Sequence, residues 1–220
     1  MTIAIAAVLA GAIALSGTPL PADLDPGAGL DEIQRAADRA TDNRIRALEE
    51  ALEEVADSEH LSDGHRSAIT TTLQGDLDAM HDLQDQIAAE DSAGDALTAY
   101  RSIFTDYRVY AVAIPQSLYA AAADGLTDSA LPLLQQVHDD LAAVADGDAE
   151  VQSALDEMQA SIDEATELLD GLADAMLAVS PADFNADPEV LADLRDSLRE
   201  ATDATRDARE DARDIREDLR

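Results

Sequence analysis

Four histidines, His60, His65, His81 and His138, are the side chains of this 220-residue chain whose ordinary pKa lies near neutrality. Their nearest approaches to metal-ligand spacing are Asp57-x-x-His60 and Asp78-x-x-His81. A carboxylate-bridged di-iron bundle needs two Glu-x-x-His pairs with further inward Glu residues, so these histidines read as surface residues. Asp146, Asp148, Glu150 and Glu157 fall at positions 1, 3, 5 and 12 of a calcium-loop register. Val151 stands where that loop's sharp turn needs Gly, and a solvated helix start explains the same acids. The sequence has no Gly-rich phosphate loop, nucleophile elbow or zinc-type spacing. With no Cys it has no disulfide, thiolate metal site or cysteine nucleophile.

The segment with the most chemical variety is Tyr100 to Gln116, YRSIFTDYRVYAVAIPQ, and five of the six aromatic residues lie in it or just after it. Arg101 and Arg108 are the only arginines between positions 67 and 194, and their spacing of seven places them on one helix face. On a structural reading they neutralise acidic neighbours while the tyrosines fill the core and turn their hydroxyls to polar partners. On a functional reading Tyr107, Arg108 and Tyr110 form a small-ligand pocket beside a proline-kinked turn.

The elements that must position these residues read as helices throughout, with no strand alternation. A first helix over 30–57 carries Leu30, Ile33, Ala37 and Ala40, then Ile45, Leu48, Leu52 and Val55. The five-residue step from 40 to 45 marks a slip in register. Ser62 or Asp63 caps a second helix that runs to about 89. A third, over 95–123, is apolar on nearly every face, which places it at the bundle's centre. Pro115 inside it predicts a kink or a short unwound turn. After Asp124-Gly125 a fourth region spans 129–179. From Val151 to Val179 its apolar residues alternate four and three, a heptad seam without error. The seam's phase runs back through Asp148, Val144 and Leu141 and permits one long kinked helix. A break near Asp146-Gly147-Asp148 with Asp148 as N-cap would make it a hairpin, the form expected.

A loop around Ser180-Pro181 and Asn185-Ala186-Asp187-Pro188 leads to a last helix, from about 188 to the end, that has three sectors. Its apolar seam runs from Leu191 to Leu219 with small residues at the middle, and Asp and Glu residues take the opposite face. Between them Arg195, Arg199, Arg206, Arg209, Arg213, Arg216 and Arg220 form a stripe. These are seven of the chain's 14 basic residues, none of which is Lys. We expect the stripe to dock on acidic flanks of earlier helices, such as 149–179, or else to face a polyanion or a second copy.

Alanine fills 45 positions, and 33 Asp with 15 Glu bring the formal net charge to −34. A chain so acidic makes nucleic acid an improbable partner. The composition resembles proteins adapted to high salt, where cations of the medium would gather nonspecifically. Residues 2–16, TIAIAAVLAGAIALS, are an uncharged apolar run of signal-peptide-core length, too short for a comfortable membrane span. The expected organisation is a signal-like segment over 1–22, a linker over 23–29 and one helical domain over 30–220.

The pieces FTDYRVYAVAIPQ with LYAAAAD, ADGDAEVQSALDEM and SPADFNADPEVL before the Arg/Asp helix resemble a family of secreted, helix-rich proteins of actinobacteria. The resemblance spans most of 30–220, with YRVY and PADFN its most specific parts. It implies export and an α-helical rod or bundle, and it carries no activity and no catalytic residues. The fold expected is all-α, an elongated antiparallel bundle of five or six long helices with coiled-coil-like packing. The function expected is a non-enzymatic structural or interaction role in the cell envelope or outside the cell, with a protein partner or self-association. No cofactor and no membrane span in the mature chain are expected. Calcium or small-ligand binding is the alternative.

Overall fold

The computed structural model describes residues 28–145 and 147–219, all of them helix or connecting turn, with no strand among them. The signal-like segment, most of the linker, Asp146 and Arg220 lie outside the described residues. The bundle expected from the periodicity is present, and it is arranged as two groups of three helices that share a central helix.

The first group is α1 (Leu30–Asp57), α2 (Asp63–Ala89) and α3 (Ala93–Thr105), packed against one another. Ser62 caps α2 by accepting the His65 backbone N–H at 3.2 Å, which satisfies one of the donors a helix start leaves free. The apparent slip in α1 is filled by polar side chains. Thr41 and Arg44 are both buried, so the inward row reads Ala37, Thr41, Arg44, Leu48 with regular spacing. The Thr41 hydroxyl donates to the Ala37 carbonyl at 3.0 Å, which is how a hydroxyl tolerates such a site.

The third predicted helix is two. The chain breaks at Asp106–Arg108, where Arg108 takes the left-handed conformation (φ 49°), and resumes as a π turn over Val109–Ala113 that leads into α4 (Ile114–Gly125). Ahead of Pro115 the regular helix gives way to an unwound turn at 106–108 and a π turn, the second of the two outcomes expected of it. Pro115 sits in the first turn of α4, where its missing N–H is not needed, and the wider π turn before it leaves room for its ring. Gly125 is no break: its backbone is helical (φ −61°) and a second π turn, Leu126–Ala130, carries the chain into α5 (Leu131–Ala142). Here too a proline, Pro132, follows at once. The run from 109 to 142 is thus one continuous helical rod about 50 Å long, and α4 within it is buried on almost every side.

The second group is α5, α6 (Ala149–Leu169) and α9 (Val190–Asp218). Asp148 caps α6 by accepting the Glu150 N–H at 2.9 Å, so α5 and α6 form a hairpin. The heptad seam of 151–179 is not one helix. It stops at Asp170–Gly171, with Gly171 at φ 66°, and α7 (Leu172–Leu177) turns away to pack on α4. Leu172, Met176 and Val179 stay buried, which is why the apolar spacing gave no sign of the break. A short α8 (Pro181–Ala186) begins with a Ser180/Asp183 capping box and leads to α9. One core runs from Ile33 to Ile215 through both groups, with a small satellite of Val112, Val179 and Leu191.

Candidate functional site

Tyr107, Arg108 and Tyr110 do not converge on one pocket. The Arg108 guanidinium donates to the Asn185 side-chain carbonyl from Nε (2.8 Å) and Nη2 (2.6 Å) and stacks 5.5 Å from the Phe184 ring. Asn185 in turn donates from Nδ2 to the Thr105 carbonyl at 2.8 Å. The left-handed residue is thereby fastened to α8, and the YRVY and PADFN segments, far apart in sequence, meet at this point. The expected acidic partner of Arg108 is replaced by a neutral amide. Tyr110 goes elsewhere, its hydroxyl donating to the Asn43 carbonyl of α1 at 2.7 Å. Tyr107 is half-buried against the core, and Arg101 is exposed.

Beside Tyr110 lies a cation that sequence reasoning missed. Arg44 is 8% exposed, its guanidinium carbon 4.5 Å from the Phe104 ring centre and 5.0 Å from that of Tyr110. Its Nη1 donates to the Ala40 carbonyl at 2.9 Å, while its buried Nε has no partner. Burial lowers its pKa from the ordinary arginine value, with Tyr110 and Tyr100 opposing that shift. Two aromatic faces offset part of the cost that a carboxylate would otherwise offset.

His65 is the other unforeseen centre. Its Nδ1 lies 2.8 and 2.9 Å from the two oxygens of Asp124 on α4, and its Nε2 lies 3.0 Å from Asp174 on α7. Asp124 is buried, 6% exposed, and also accepts the Ser62 N–H at 2.9 Å. Burial works against charge on the ring, yet the hydrogen bonds to Asp174 and Asp124 outweigh it and raise the pKa above 6.5. Next to it Arg66 donates to the carbonyls of Val55, Ala56, Ser58 and Leu61, closing the end of α1. His60 Nδ1 is within 2.9 Å of the Ser129 hydroxyl in the second π turn. Both ring nitrogens of His65 are thus engaged by carboxylates.

The calcium register is not a loop. α6 starts at Ala149, so Glu150 and Glu157 are exposed two turns, about 10 Å, apart along the axis, and the Asp148 carboxylate is committed to the cap. Asp146 lies outside the described residues, among which no group of three His, Asp or Glu side chains is placed to hold a metal.

The arginine stripe is present on α9, but among the described residues it makes no ion pair with α6. The contacts found are Arg195 to Asp196 (3.1 Å), Arg199 to Asp196 (3.4 Å) and Arg206 to Asp203 (2.7 Å), all within α9 itself. Arg199, Arg206, Arg213 and Arg216 are exposed and Arg195 and Arg209 half-buried. The reason is geometric: small Ala201, Ala204, Ala208 and Ala212 bring the backbone of α9 close to its neighbour and leave the longer side chains at the rim. An open cleft of about 450 Å³ lies between the second π turn and the end of α6, lined by Thr127, Leu131, Thr166 and Leu169 with Asp163, Glu167 and Asp170.

No helix among the described residues is long and apolar enough to cross a membrane. The chain matches no protein-family model, no curated protein and no solved structure.

Proposed function

We propose that the chain is a non-enzymatic, exported structural or interaction protein of the cell envelope or extracellular space, engaging a protein partner or a second copy through its acidic helical faces. The observation that carries this reading is the outward side of α6, a helix with acidic residues and no arginine. Asp156, Glu164 and Glu167 there are exposed and in no arginine ion pair among the described residues, whereas on α1 the exposed row of Asp42, Glu49 and Glu53 also carries Arg35, Arg39 and Arg46. Half-buried polar side chains such as Gln34 and Gln135, by contrast, bridge neighbouring helices. Faces of one charge sign steer complementary partners and discourage others. The signal-like run at 2–16 and the resemblance to secreted helical proteins support export, and the lysine-free acidity supports a salty medium.

Crosslinking in intact cells at native salt, with mass spectrometry of whatever is joined to the chain, tests this. A dominant envelope partner or self-links through α1, α6 or α9 is the expected result. Links within the chain alone would overturn it. The cleft with Asp163, Glu167 and Asp170 at its mouth favours a second reading, binding of a cation or small cationic ligand. That reading requires calcium to raise the melting temperature beyond sodium chloride of matched ionic strength.

A further inference from the structure

We propose that His65 is a proton-operated latch, tying α7 to the start of α2 when its ring is charged and releasing α7 when the ring loses its proton. An ionised carboxylate only accepts hydrogen bonds, so a ring that satisfies Asp124 on one nitrogen and Asp174 on the other must carry a hydrogen on both. The clasp as drawn is therefore an imidazolium between two anions. Asp124 also accepts the Ser62 N–H, and the Asp174 side chain is 83% exposed.

When the proton leaves, one nitrogen turns a lone pair towards a carboxylate and that contact must part. The two sides are unequal. Asp124, 8% exposed at its side chain, meets Nδ1 with both oxygens and has no water to replace it, whereas Asp174 is solvated at little cost. The neutral ring keeps Nδ1–H on Asp124 and lets Asp174 go. No other charge takes over. Asp63 and Arg66 flank the ring on α2, and Arg66 is occupied by the carbonyls at the end of α1. Asp124 from α4 and Asp174 from α7 are the charged groups that face it.

The element released is short. α7 has six residues, held on α4 by Leu172, Ala173 and Met176, and it follows the left-handed Gly171. Gly171 with Leu169 and Asp170 forms one wall of the 450 Å³ cleft, so the state of the latch reaches that cleft through the hinge. Because the folded pKa is raised, the clasp's contribution is complete below about pH 6.5 and is lost as pH rises through the folded value.

NMR of the full chain tests this, following the His65 ring protons and the hydrogen-exchange protection factors of the α7 amides from pH 5 to 9. The expected result is a His65 midpoint above that of the same ring in the urea-unfolded chain. Protection across 172–177 should fall about two- to fivefold through that midpoint. Asp174→Asn, at an exposed site, should lower the midpoint and flatten the α7 profile with helix content unchanged. A His65 midpoint at or below the unfolded one, or α7 protection independent of pH in the native chain, would overturn the latch.

Discussion

Arg44 and Asp76 show how a few side chains in an acidic protein carry its electrostatic strain. Arg44 is nearly buried, with its Nε unpartnered and its charge facing rings instead of carboxylates. A methionine of similar length keeps the packing against Phe104 and Tyr110 and removes the desolvated charge. Arg44→Met should thus leave stability within about 1 kcal/mol of the parent or above it. Arg44→Ala should cost about 2–4 kcal/mol through the cavity it opens, and urea denaturation of the two variants separates packing from charge. Asp76, half-buried on α2, is pushed up to about 6 by burial alone. An acid with a raised folded pKa penalises the fold when ionised, so the penalty is absent below about pH 4 and complete above about pH 6. Asp76→Asn should therefore stabilise the chain by about 1–3 kcal/mol at pH 7 and by almost nothing at pH 4. Equal gains at both pH values would disprove the burial account.

Helix starts were legible because they are local. Ser62 and Asp148 cap α2 and α6 as their side-chain chemistry and position predict. The helix ends that escaped detection are set by distant partners. Arg108 stays left-handed because Asn185, 77 residues on, grips its guanidinium. Gly125 stays helical because α4 is enclosed by neighbours that a local signal does not register. Gly171 lay inside a flawless heptad count because the residues after the break remain buried against a different helix. The polar members of the inward row, Thr41 and Arg44, were likewise invisible to a count of apolar residues, and the His65 clasp joins three segments that no spacing relates. Two glycines give a paired test at this scale. Gly75, mid-helix on α2 with open space around its missing Cβ, should gain about 0.5–1 kcal/mol on change to Ala. Gly171→Ala, forced to keep φ near 66°, should lose about 1–2 kcal/mol. The shift of the urea midpoint reads both, and a gain at Gly171 would mean that the left-handed turn is not required.

For the molecule as a whole, 48 acidic residues meet only 14 arginines, a formal net charge of −34, and the ion pairs among the described residues that use those arginines are confined to one helix. The long faces therefore repel one another across the solvent, over a range that shrinks from about 10 Å at 0.1 M salt to about 3 Å at 1 M. The melting temperature should climb with potassium chloride over that range. A flat or falling curve would show that repulsion between faces is not what limits stability. A second property follows from the rod of residues 109–142, whose middle is shared by both three-helix groups. Neither group closes its own core, since α4 supplies apolar side chains to each. Such a chain is not modular. Recombination cannot exchange one half, duplicate it or shed it without stripping the other, so the segment has to be inherited, and varied, as a single piece.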